Sequence, residues 1–162
     1  MSNIGNRIFS AAILAGLLVA PSGVAQAQIR VVTMSKYDFR ETVNKVKAAI
    51  EAEGFTITSV VDHQAVLKEA GTPFRGWVLI EFTSPKYAKE ILLPEPESGL
   101  DLPLRISVME GDPNDPHGSA THAVHYRPSV ILGEYRKVKA VAAELDKVLE
   151  RIAGSVAAKT GH

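Results

Sequence analysis

Cysteine is absent from all 162 residues. That absence removes disulfides, anchoring through a lipid-modified cysteine, thiol nucleophiles and thiolate metal centres. Nor is there an excess of charge of one sign, since 18 Lys and Arg stand against 18 Asp and Glu. A nucleic-acid binder carries a basic footprint, and a protein held on anionic lipid carries a polybasic run. The sequence has neither. It also lacks a Walker A loop, a dinucleotide glycine pattern, G-x-S-x-G, H-E-x-x-H and an N-x-S/T acceptor. What remains is 46% hydrophobic and 22% charged, the balance of a folded globular chain.

The amino terminus reads as a cleavable signal peptide. Residues 1–7 hold one cation, Arg7, and residues 8–20 are apolar apart from Ser10 and Gly16. Ala25-Gln26-Ala27 is an A-x-A cleavage site, which places the cut before Gln28. The apolar run would span about 20 Å as a helix, too short for the roughly 30 Å hydrocarbon core. No later stretch is long and apolar enough to cross a membrane. Cleavage leaves 135 residues with 17 basic and 18 acidic side chains, and the expected compartment is the periplasm.

The remainder predicts a single α+β domain over 28–155, followed by a disordered tail over 156–162. Strands are expected at 29–34, 55–61, 77–82, 104–109 and 121–127. Asp38 caps a helix with Glu41 three residues on, and Phe39, Val43, Val46 and Ile50 form its apolar stripe, with Gly54 as the stop. Asp62 caps a short helix ended by Gly71. Ser84-Pro85 starts another that runs to Leu92. A last helix over 131–153 carries the stripe Ile131, Tyr135, Val138, Ala142, Leu145, Leu149 and Ile152. Two long amphipathic helices need one apolar surface. The expected fold is therefore a mostly antiparallel five-stranded sheet with both on one face, β-α-β-β-β-α with short helices inserted.

Several segments, taken together in order, are similar to the family called domain of unknown function 302. They are Val61-Asp62-His63 before the helix ending at Gly71, the Ser84-Pro85-Lys86 step, Gly99-Leu100-Asp101-Leu102-Pro103-Leu104, and the Tyr126 strand ahead of a long helix. The resemblance covers about Tyr37 to Leu149. It implies a compact α+β fold, often dimeric, without an assigned activity. Phe74-Arg75-Gly76-Trp77, Phe82-Thr83-Ser84-Pro85 and Tyr126-Arg127-Pro128 depart from the family pattern.

Candidate chemistry centres on two groups. Asp62 and His63 pair a carboxylate with an imidazole, the materials of acid–base catalysis. Neighbours in sequence do not face one another, so a cap for Asp62 and a first-turn position for His63 is the simpler reading. Arg75, Trp77 and Glu81 lie close by and complete a candidate ligand-binding set. Glu81, inside an apolar strand, is expected to form an internal ion pair with Arg105. His117, His122 and His125 form the second group, with copper or zinc as the metal they would hold. Positions three apart on a strand diverge, which sets His122 against His125. Met34 and Met109 read as core or sheet-face residues rather than copper ligands. Asp112, Asn114 and Asp115 lack the glycine and glutamate of a calcium loop.

Three functions follow. The first is a non-catalytic binding or interaction module, dimerising through a sheet edge or face, with no cofactor. The second is a periplasmic copper or zinc binder. The third is a hydrolase or lyase using Asp62, His63 and Glu81.

Overall fold

The computed structural model describes residues 29–114 and 118–158. The signal-peptide segment, the end of the tail and His117 lie outside them.

Five strands form one sheet: β1 (Arg30–Met34), β2 (Thr56–Asp62), β3 (Trp77–Thr83), β4 (Leu104–Met109) and β5 (His122–Tyr126), in the order β1-β5-β4-β3-β2. Every neighbouring pair is antiparallel. Four strands separate the two long helices, in line with the five strands expected from the sequence; the order β-α-β-β-β-α has one too few. Strands β4 and β5 form a hairpin that pairs Met109 with His122.

Helix α1 (Phe39–Ala52) begins where expected, because the Asp38 side chain accepts from Glu41 N at 2.8 Å. Thr42, Val43, Val46 and Ile50 form its buried face. Gly54 takes a φ of 80°, a conformation that costs glycine little, and lets the chain turn into β2. Asp38→Ala removes the acceptor and leaves the Glu41 N–H to water. The expected loss of unfolding free energy is about 1 kcal/mol, read from urea titrations at constant m-value.

Helix α2 (His63–Glu69) is capped by Asp62 as predicted, with Ala65 N donating to its carboxylate at 3.0 Å. Helix α3 (Pro85–Leu92) begins at Pro85, but the Ser84 hydroxyl makes no capping hydrogen bond. After α3 an acidic stretch winds into a 3₁₀ segment, Pro96–Asp101.

The carboxy-terminal helix is shorter than its apolar spacing suggests. One turn, α4 (Pro128–Ile131), is followed by two 3₁₀ turns, and the long helix α5 covers only Lys139–Gly154. Ile131 and Tyr135 therefore lie before it. The Asp146 carboxylate on α5 accepts from both the backbone N–H and the hydroxyl of Ser129, folding α4 back against α5. Tyr135 is extended, with φ −83° and ψ 101°, and breaks the helical path.

Helices α1 and α5 touch each other and share one sheet face. Val46, Ile50, Ile80, Phe82, Ile106, Val108, Leu145 and Ile152 are fully buried between the layers. The chain remains ordered past the expected end of the domain. Val156 is buried, and Ala158 N donates to Met34 O at 2.8 Å while Lys36 N donates to Val156 O. An apolar side chain and an unpaired strand end together hold this part of the tail.

Candidate functional site

The sheet has two unlike faces. Val78, Ile80 and Phe82 on β3 point under the helices, so Trp77, Leu79 and Glu81 point the other way. The strand register arranges this second face into rows. One row is Met34, His122, Met109 and Trp77, running from β1 through β5 and β4 to β3. The next is Val32, Val124, Ser107, Leu79 and Val61, crossing all five strands. Beyond it Arg105, Glu81 and Ser59 make a polar row, with Arg30 opposite Tyr126 on the far strands.

At one end of this face the structure gathers several of the predicted ligand-binding residues. The His63 ring lies 4.6 Å from Trp77, and Phe74 lies 6.2 Å from it. Trp77 Nε1 donates to Ser107 Oγ at 2.9 Å, so the indole is fixed in orientation. Arg75 stacks over Phe74 at 4.9 Å and donates to Asp112 at 2.6 Å. The Gly76 N–H donates to Glu110, and a side chain at Gly76 would meet the Phe39 ring at 2.6 Å.

Other members stand apart from this corner. Asp62 spends its carboxylate on the α2 cap while His63 turns to Trp77, so the two form no acid–base pair. Glu81 lies two rungs along the face from Trp77. Its contact with Arg105 is not internal: the nitrogen–oxygen distance is 4.0 Å, and the side chains are 44% exposed for Arg105 and 26% for Glu81. The partner is the expected one, but both groups sit on the uncovered face, where water screens them.

The histidines separate as their spacing requires. His125 shares a rung with Ile106 and points under the helices, whereas His122 shares one with Met109 and points to the opposite face. His122 is 2% exposed, and its Nδ1 lies 3.3 Å from Ala120 O. A single metal centre cannot use both rings. Among the described residues no group of three His, Cys, Asp or Glu side chains could hold a metal ion.

Two features escaped the sequence. The first is the alignment of Met34 and Met109 with His122, which depends on register between distant strands. The second is a cavity of about 140 Å³ at the other end of the sheet, whose lining includes Leu104, Tyr126, Ile131 and Leu149 together with the charged Asp101 and Arg105. No local spacing announces either one.

A family model described as "Domain of unknown function DUF302" matches residues 31–156. The chain belongs to the DUF302 family. The crystal structure of an uncharacterized conserved DUF302 protein from Bacillus stearothermophilus shares its fold. The TM-score is 0.72 at 20% identity, covering 80% of this chain and 99% of that one. This DUF302 chain is also 33% identical over 76 residues to proteins named fluoride-specific ion channel FluC 1 of Brucella suis and FluC 2 of Brucella melitensis. The match covers 47% of this chain but only 30% and 28% of theirs. No helix among the described residues is long and apolar enough to cross a membrane.

Proposed function

We propose that this DUF302 chain is a non-catalytic interaction module of the periplasm that pairs with a second copy through its uncovered sheet face. The observation that carries the reading is the row Val32, Val124, Ser107, Leu79 and Val61. It lays an apolar band across all five strands with no long helix over it. Its one hydroxyl, on Ser107, is already taken by Trp77. An apolar band of this kind suits a two-fold contact, in which the same patch meets itself.

Other observations favour binding over turnover. Asp62 is committed to a cap and Glu81 faces Arg105, so neither is poised against His63. The resemblance of this segment to under a third of two longer proteins suits a portable module. The amino-terminal charge, apolar run and A-x-A site support export.

Light scattering after size exclusion tests the pairing. The wild-type chain should elute at twice its monomer mass at micromolar concentration. Leu79→Asp puts an unpaired carboxylate into the band and should halve that mass without changing the circular dichroism. A wild-type monomer throughout, or a dimer that survives Leu79→Asp, removes this reading.

A further inference from the structure

Strands β4 and β5 pair along only part of their length. Their ladder ends at the rung of Ile106 and His125. Beyond it Leu104 and Arg105 stay beside β3, while Tyr126 stays beside β1, so the sheet is forked at this end. The chain leaving β5 turns at once into α4, which Ser129 ties to Asp146 of α5. The cavity of about 140 Å³ is lined by these residues past the last rung, together with residues of α4 and α5. Leu104, Ile131, Leu132 and Leu149 supply its apolar walls, and the last two are only 1% exposed. A cavity of about 150 Å³ with walls of this kind accepts benzene, so an apolar group of about four to six carbons fits.

Asp101 and Arg105 add one charge of each sign to the lining. Among the described residues the two form no ion pair with each other. Arg105 instead stands 4.0 Å from Glu81, too far for a hydrogen bond, and its Nε donates to Pro103 O at 3.4 Å. Both contacts run through Nε, which leaves the terminal guanidinium nitrogens, the fork that matches a carboxylate, with capacity to spare. The Asp101 carboxylate interacts with the Tyr135 hydroxyl, and its two oxygens can accept further donors. The Arg105 side chain is 44% exposed and Tyr126 is 49% exposed, so a ligand has a way in from solvent. We infer that the cavity binds a free α-amino acid with a branched apolar side chain. Arg105 would take the carboxylate, Asp101 the ammonium, and the four apolar residues the side chain.

Charge complementarity selects this class. A fatty acid would pair with Arg105 but bring a second negative charge to Asp101, and a simple amine would meet Arg105 with the wrong sign. A zwitterion satisfies both groups at once, while the apolar walls favour its side chain over water. Every contact comes from one chain. The pairing of two copies through the apolar band and this site therefore stand or fall separately.

Calorimetric titration of the purified chain with L-leucine tests the assignment. One leucine should bind per chain, with the largest amide NMR shifts at Leu104, Arg105 and Ile131. Leucinamide lacks the carboxylate, and isocaproate lacks the ammonium. Each should bind at least about tenfold more weakly, through the loss of one charge-assisted contact. Free glycine should leave those amides unmoved. Arg105→Gln should bind leucine and leucinamide alike, and Asp101→Asn should bind leucine and isocaproate alike, both with unchanged circular dichroism. Losses specific to one charge of the ligand distinguish recognition from a loosened fold. No binding of leucine at millimolar concentration, equal binding of the three compounds by the wild type, or discrimination kept in full by both variants overturns the assignment.

Discussion

Phe82→Ala is expected to lower the unfolding free energy by about 3–5 kcal/mol, the range for an aromatic side chain deleted from a packed core. Phe82 is fully buried on β3. Its ring meets Phe55 edge-on at 5.4 Å, and Phe55 in turn stacks on Tyr87 of α3 at the same separation. The substitution therefore loses an aromatic contact as well as buried area, and leaves a void among side chains of three elements. Collapse into the void is restrained from the helix side. The Tyr87 hydroxyl donates to Glu144 of α5 at 2.7 Å and Lys86 donates to the same oxygen, which fixes α3 against α5. These donors hold the Glu144 carboxyl below its usual range, the tyrosine bond first and the lysine bond second. Against a typical stability of about 5–15 kcal/mol, the loss would be a large part of the whole. Leu100→Ala is the control. That side chain is 85% exposed, and its removal should change stability by less than about 0.5 kcal/mol. Urea midpoints for the two variants that fall together would refute the layered core.

Local signals and long-range ones were legible to different degrees, and the division is physical. The Asp38 cap, the Val43–Val46–Ile50 stripe and the Asp62 cap rest on contacts within four residues, and each appears as the sequence implies. Opposite faces for His122 and His125 follow from the strand period of two. The end of α5 nearer β5 was misread because Ile131 and Tyr135 keep helical spacing without helical backbone. The cause is a bond from Ser129 to Asp146, 17 residues away, which no local pattern encodes. Ordering of Val156 to Ala158 similarly depends on β1, more than a hundred residues earlier. Glu81 looked internal because its strand neighbours are apolar. The alternation that buries Ile80 and Phe82 instead turns Glu81 outward with Arg105. The candidate sites were least legible of all. His122, His125, Met34 and Met109 could each be placed on a strand, but a row is a property of register, and register is fixed only when five strands meet.

His125 should make stability fall as pH drops below about 6.5, the ordinary pKa of an unfolded histidine. Its ring is 3% exposed, beneath the helices and level with Ile106 and Val31. Burial is the main cause holding its pKa below the usual value, and the Arg127 charge adds to it. The bond between Nδ1 and Tyr126 O at 2.9 Å and the carboxylates of Asp146 and Glu150 act in the opposite sense, without reversing the shift. With Nδ1–H donating to that carbonyl, Nε2 is left as an acceptor, and it is buried with no hydrogen-bond partner among the described residues. A second proton would have to enter that unsolvated position. The folded chain therefore refuses a proton that the unfolded chain accepts, and the folded state loses ground as pH falls through 6.5 toward the lower folded value. One such proton gives a slope of at most about 1.4 kcal/mol per pH unit. Above about pH 7.5 both states carry a neutral ring, so this group adds no pH dependence there. Carboxylates that titrate at lower pH contribute their own losses, which makes the difference between two proteins the informative quantity. His125→Leu removes the proton acceptor, and with it an unsatisfied buried atom, so its stability at pH 7.5 should be close to that of the wild type. Urea unfolding of both proteins from pH 7.5 to 5.0 should show the wild type losing stability and the variant losing clearly less. Parallel curves would mean that the buried ring accepts its proton as readily as a solvated one, and that the Nε2 position is wetter than its surroundings imply.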